Sequence, residues 1–161
     1  MSLENSTINN DNIQLVGFSV DNEDFGVDIL KVQEIIRMVE ITKMPNAPEY
    51  VEGVINLRGK VIPVIDFRKR FHLAEDEAQN SANKRIVVVS LDHMTIGIVV
   101  DKVSQVLRLP NEHISPTPDT VKGFDAEAIS GVGQLDEKLM ILLDLEKMFS
   151  RGEFEAIDKA A

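Results

Sequence analysis

The chain is written twice. Adding 71 to positions in its first half returns the same residue repeatedly: Ser19 meets Ser90, Asp21 meets Asp92, Gly26 meets Gly97, Lys31 meets Lys102, Val32 meets Val103, Arg37 meets Arg108 and Pro45 meets Pro116. After seven extra residues near KGFDAEAI the offset becomes 78, and Gly53, Val54, Asp66 and Phe71 meet Gly131, Val132, Asp144 and Phe149. Many of the remaining pairs exchange one aliphatic residue for another. Self-similarity at a near-constant spacing means one structural unit built twice. The fold expected for these 161 residues is therefore a duplication, with pseudo-repeats over 13–74 and 84–149.

What the unit is follows from its apolar runs. IQLVGFSV, DFGVDI, GVINL and KVIPVIDF in the first half, and RIVVVSLDHMTIGIVVD opening the second, are rich in β-branched residues and read as strands. Four or five short strands per unit are too few for a large sandwich but suit a small barrel, the architecture that removes exposed strand edges. The expected fold is thus mainly β, two packed small barrels over 13–150. ILKVQEIIRMV places apolar residues at 29, 30, 32, 35, 36 and 39, a spacing open to a short helix running into a strand. Residues 1–12 read as a mobile polar arm and EDEAQNSAN (75–83) as a surface loop between the halves. LEKMFSRGEFEAIDKAA reads as a terminal helix or two with Gly152 as the break, giving a helical tail over 151–161.

Charge and inventory then exclude classes of function. Lys and Arg total 17 against 27 Asp and Glu, a formal charge of −10 that repels nucleic acid and anionic lipid. The stretch MSLENSTINNDN is polar and is not expected to act as a signal peptide, and no apolar run nears the roughly 20 residues that span a bilayer. The absence of Cys and the scatter of His72, His93 and His113 argue against a metal site and fit a reducing, cytoplasmic setting. His93, between two strand-like runs, reads as a solvent-facing turn residue. Nucleotide loops and hydrolase motifs are missing, and no cofactor is expected. One enzymatic reading uses the duplication: Asp66 with Asp144, or Asp28 with Asp101, forming an aspartic dyad for hydrolysis. IDF and LDL lack the Asp-Thr-Gly turn that would hold such a dyad, and an Asp after a strand caps a turn or helix start. A binding module remains, in which apolar patches carry isolated charged anchors.

At this point particular segments match a family. DFGVDILKVQEIIR, MPNAPEYVEGVINLRGKVIPVIDFRKRF, TIGIVVDKVSQVL and ILLDLEKMF resemble the CheW chemotaxis coupling proteins over residues 13–150. The resemblance implies two five-stranded SH3-like barrels and a non-enzymatic adaptor for signal transduction. Such an adaptor bridges the cytoplasmic tips of chemoreceptors to the histidine kinase CheA, without inserting into the membrane itself. The family also includes regulatory domains of CheA and CheV type, an alternative for this chain. Its length leaves no room for a kinase or receiver domain, so a free-standing adaptor is expected. Carried over by matching position, Val32, Glu34, Gly53, Arg58, Gly59, Gly97, Val99 and Val103 are the partner-binding candidates.

The residues allow a reading beside that resemblance. Val32 and Val103 are either aliphatic walls of a groove for a helical tip or ordinary core residues. Arg58 is expected near Glu34, where a carboxylate would hold its planar guanidinium. In the hairpin GVINLRGKVIPVID, Gly59 helps the chain reverse. Its repeat mate GVGQLDEKLMILLD has Asp136 and Glu137 where Arg58 and Gly59 stand, so a hairpin here does not itself require Arg.

Overall fold

The computed structural model describes residues 12–71, 73, 81–92, 94–116 and 128–160, and among these described residues short β-branched runs punctuated by tight turns give eleven strands. The first half contributes β1 (Asn12–Val20), β2 (Glu23–Asp28), β3 (Val32–Arg37), β4 (Val51–Leu57) and β5 (Lys60–Asp66). The second contributes β6 (Arg85–Ser90), β7 (Thr95–Val100), β8 (Lys102–Pro110), the two-residue β9 (Ile114–Ser115), β10 (Ile129–Leu135) and β11 (Lys138–Leu143). The described helices include α1 (Phe67–Arg70) and α2 (Arg151–Ala160), with single 3-10 turns between strands. ILKVQEIIRMV resolves into such a turn, Ile29–Lys31, running straight into β3. The expected arm before Asn12, most of the loop between the halves, His72 and His93 lie outside the described residues.

The two sheets do not divide where the sequence repeats. One runs β3-β6-β7-β5-β4 and the other β8-β1-β2-β11-β10-β9. Each barrel takes a hairpin from the opposite half: β6–β7 joins the first barrel, and β1–β2 joins the second. The exchange is made by one parallel pairing in each sheet. Val64 stands opposite Gly97 in the first barrel and Leu142 opposite Gly26 in the second, equivalent pairs under the two offsets. Even the bulges repeat: β4 slips between Val51 and Gly53, and β10 between Ile129 and Gly131.

Alternation along the exchanged strands sorts the core. Val16, Phe18, Phe25 and Val27 pack with Val87, Val89, Ile96 and Ile98 in one large cluster drawn from both sheets. Alternate residues fill the barrel interiors: Ile86 and Val88 in the first, Leu15 and Leu142 in the second. The Phe67 ring stands edge-on to Phe18 and Phe25, at 5.4 and 4.8 Å between centroids, tying α1 to the opposite barrel. The shared cluster is the larger one, and it joins the two sheets.

α2 corrects the expected role of Gly152. The helix starts at Arg151, and Gly152 lies inside its first turn rather than breaking it. Ser150 sets the start: its hydroxyl accepts the Glu153 N–H at 3.1 Å while the Glu153 carboxylate accepts the Ser150 N–H at 2.8 Å. This reciprocal box satisfies the first-turn donors, and glycine so near the cap breaks no established turn. Ile157 is fully buried and seats the helix on the shared core.

Candidate partner-binding surface

The turn between β4 and β5 is shaped by two residues with positive φ, Arg58 at +52° and Gly59 at +87°. That is the primed geometry whose twist matches flanking strands. Asn56 steadies it, its side-chain oxygen accepting the Gly59 N–H at 2.8 Å. Glycine takes such a φ freely, whereas arginine is strained there. The Arg58 guanidinium reaches back over β3, and its Nη2 donates to Glu34 Oε2. Arg58 is 70% exposed and Glu34 24% exposed, so the pair forms a fixed polar feature open to solvent. In the equivalent turn Asp136 takes φ +56° in place of Arg58.

Two other candidates lie on the same cross-strand row as Glu34. Gly53 stands opposite Val64, Val64 opposite Gly97, Gly97 opposite Val88 and Val88 opposite Glu34. Both glycines on this row are buried. At Gly53, φ is +152° and an added Cβ would collide with the Thr42 carbonyl oxygen, part of a backbone bridge in which Thr42 and Val54 exchange hydrogen bonds of 2.9 Å. At Gly97 the Cβ would meet Ile86 Cγ2 at 2.7 Å. Val99 is buried in the interior of the first barrel.

Val32 and Val103, equivalent under the 71 offset, are half-buried and pack on the margin of the shared core. A bulge follows each: β3 slips between Val32 and Glu34, and β8 takes three steps from Val103 to Val106 where β1 takes two. Bulges bend a strand and re-aim its side chains. The structure therefore joins Glu34 to the Arg58–Gly59 turn, puts Gly53 and Gly97 on Glu34's cross-strand row, and leaves Val103 in the other barrel.

Exposed aliphatic side chains were not read from the sequence. Ile35 and Val61 lie open on the first barrel, and their equivalents Val106 and Leu139 lie open on the second. Recurrence at both offsets is the signal that marks them, since a paired apolar residue on the solvent side of a strand is easily taken for core.

The aspartates of the dyad reading are engaged locally. Asp66 Oδ1 accepts the Arg68 N–H at 2.9 Å and Asp144 Oδ1 accepts the Glu146 N–H at 3.1 Å, so each caps the turn that follows it. Burial, with Glu52 nearby, pushes the Asp66 carboxyl above its ordinary value. Asp28 likewise accepts the Leu30 N–H at 2.9 Å, and Asp101 holds Arg68. Among the described residues no cluster of His, Cys, Asp or Glu is arranged to hold a metal ion.

Small barrels that exchange hairpins and present a charged turn and exposed aliphatic side chains have the features of a protein-binding scaffold. A family model described as the CheW-like domain matches residues 14–153, and the chain belongs to that family. It is 40% identical to the chemotaxis protein CheW of Klebsiella aerogenes, over 89% of this chain and 86% of that protein. It is 34% identical to the chemotaxis protein CheW of Treponema pallidum, over 93% and 89% respectively. Among solved structures, the scaffolding protein TtCheW from Thermoanaerobacter tengcongensis superposes with a TM-score of 0.79 at 35% identity, covering 88% of this chain and 94% of that one. The fold is that of the CheW scaffold, and the role is that of a chemotaxis adaptor.

Proposed function

We propose that this chain couples the cytoplasmic tips of chemoreceptors to the regulatory domain of the histidine kinase CheA without catalysing a reaction itself. It works in the cytoplasm and reaches membrane receptor arrays through these partners. The observation that carries the reading is the Arg58 turn. Arginine is held at a positive φ that its repeat mate fills with aspartate, and an exposed ion pair stabilises a fold by only about 0 to 1 kcal/mol. Folding does not account for it, whereas recognition does: a guanidinium fixed by Glu34 offers a shaped set of donors to a partner. Val32 and Val103 supply aliphatic walls for a helical tip, and Gly53, Gly97 and Val99 shape the surface from beneath.

The test is a pull-down of the purified chain against a CheA regulatory domain and a receptor cytoplasmic fragment. Arg58→Ala and Val32→Glu should each lose capture of at least one partner while melting within a few degrees of wild type. Capture of neither partner by wild type, or unfolding of both variants, overturns the reading.

A further inference from the structure

Beside α2 runs a groove of about 660 Å³ that shares no residue with the surface described above. Clefts of roughly 300–1,000 Å³ are the size that seats ligands. Its floor is apolar: Met94, Phe149 and Phe154, with the two phenylalanine rings edge to face at 5.4 Å. The helix turns one stripe toward it, Arg151, Phe154, Glu155 and Asp158, spaced as neighbours along a single helical face. Two more carboxylates close the far wall, Asp92 and Glu146. Glu146 is already engaged, receiving Lys31 Nζ and the Asp92 N–H, both at 3.0 Å. Glu155 and Asp158 are exposed and form no ion pair among the described residues.

We propose that this groove is a second docking site, and that its occupant is a cationic, apolar segment of another protein. One aliphatic or aromatic side chain of that segment lies over Met94 and Phe154, and flanking Lys or Arg residues meet Glu155 and Asp158. Charge selects this occupant. A second copy of the chain carries a formal charge of −10 and would meet like charge, and the chain's own first twelve residues contain no Lys or Arg. The apolar floor in turn separates the site from a merely solvated acidic face, which would show no preference for apolar side chains.

The probe is a short synthetic peptide alternating Lys with Leu and Phe, titrated into the full chain and followed by the Met94 methyl signal and by calorimetry. Two control peptides replace Lys by Glu, or Leu and Phe by Ser. The parent peptide should bind and shift the Met94 signal, and both controls should fail. Glu155→Arg with Asp158→Arg should weaken binding about tenfold or more, whereas Glu112→Arg with Glu137→Arg, the same change in net charge elsewhere, should change it less than about twofold. No binding by wild type, equal weakening by the two pairs, or undiminished binding of the serine peptide would overturn the proposal.

Discussion

At equivalent places the two barrels tie the halves together with clamps of opposite sign. In the first, Asp66 caps α1, and Arg68, two residues on, sends Nη2 to Asp101 Oδ2 at 2.5 Å and Nη1 to Asp21 Oδ1 at 3.4 Å. In the second, Asp144 caps its turn, and Glu146, two residues on, accepts Lys31 Nζ and the backbone N–H of Asp92. Positions 66 and 144, 68 and 146, and 21 and 92 are mates under the two offsets. What recurs is a polar tie between exchanged hairpins, and its sign is free. Depth differs too: Arg68 is 8% exposed and Glu146 24%. Removing Arg68 empties a buried position and gives up charge-assisted hydrogen bonds to Asp101 and Asp21, although those carboxylates keep 25% and 41% exposure.

Breaking each clamp should therefore give unequal losses. Arg68→Ala is expected to cost about 2 to 4 kcal/mol through lost packing and charge-assisted hydrogen bonds, and Glu146→Ala no more than about 1 kcal/mol, read from urea unfolding midpoints. Rebuilding the first clamp with reversed sign, by Arg68→Glu with Asp101→Lys, should recover part of the loss. Equal costs for the two single variants would contradict the difference in depth.

A second inequality separates the barrels at their paired glycines. Gly53→Ala meets both a positive φ and the Thr42 carbonyl, and should cost about 2 to 4 kcal/mol. Gly131→Ala would place its Cβ 2.9 Å from the Ser115 carbonyl with no such φ, and should cost about 1 kcal/mol. Thermal unfolding of both variants decides whether the bridge beside Thr42 is the tighter one.

The clamps should also fail at opposite ends of the pH scale. Burial opposes the charge on Asp101, but hydrogen bonds from Arg68 and the Asp21 backbone outweigh it and hold the carboxyl below its ordinary range. Its contribution to stability is complete above about pH 3.9 and is lost as pH falls through the folded value. The hydrogen bond to Glu146 raises Lys31 against the cost of its burial. That contribution is complete below about pH 10.4 and is lost as pH rises through the folded value. Asp101→Asn should flatten the acid limb of a stability profile and Lys31→Met the alkaline limb. Asp66, raised by burial, carries the opposite sign, its contribution declining as pH rises through its folded value.

Much of this was legible in the chain, because a duplication marks equivalent positions whatever their contacts. The approach of Arg58 to Glu34 was expected from two positions singled out by the family resemblance, whereas the strands and the caps at Asp66 and Asp144 follow from residue type and spacing. Exchange of the hairpins does not, because β5 pairing with β7 and β5 pairing with β2 leave the same pattern of offsets and aliphatic runs. Arg68 was missed for a related reason. It sits in the basic run FRKR, which looks solvated, yet Arg68 and Arg70 are buried and Lys69 reaches Glu52 at 2.7 Å. The carboxylates that meet this run are distant in sequence: Asp21 and Asp101 for Arg68, Glu52 for Lys69 and Glu153 for Arg70.

The smallest expected change in stability belongs to Arg58, and it bears most directly on function. The decisive measurement is a titration of wild type, Arg58→Gly and the exchanged pair Glu34→Arg with Arg58→Glu against the CheA regulatory domain and the receptor fragment, with melting followed in parallel. Arg58→Gly relieves a strained φ, so its stability should stay within about 1 kcal/mol of wild type while binding falls about tenfold or more. The exchanged pair should keep the fold and still not bind. Full binding by either variant, or a loss of stability that accounts for the loss of binding, would contradict the assignment of this turn to recognition.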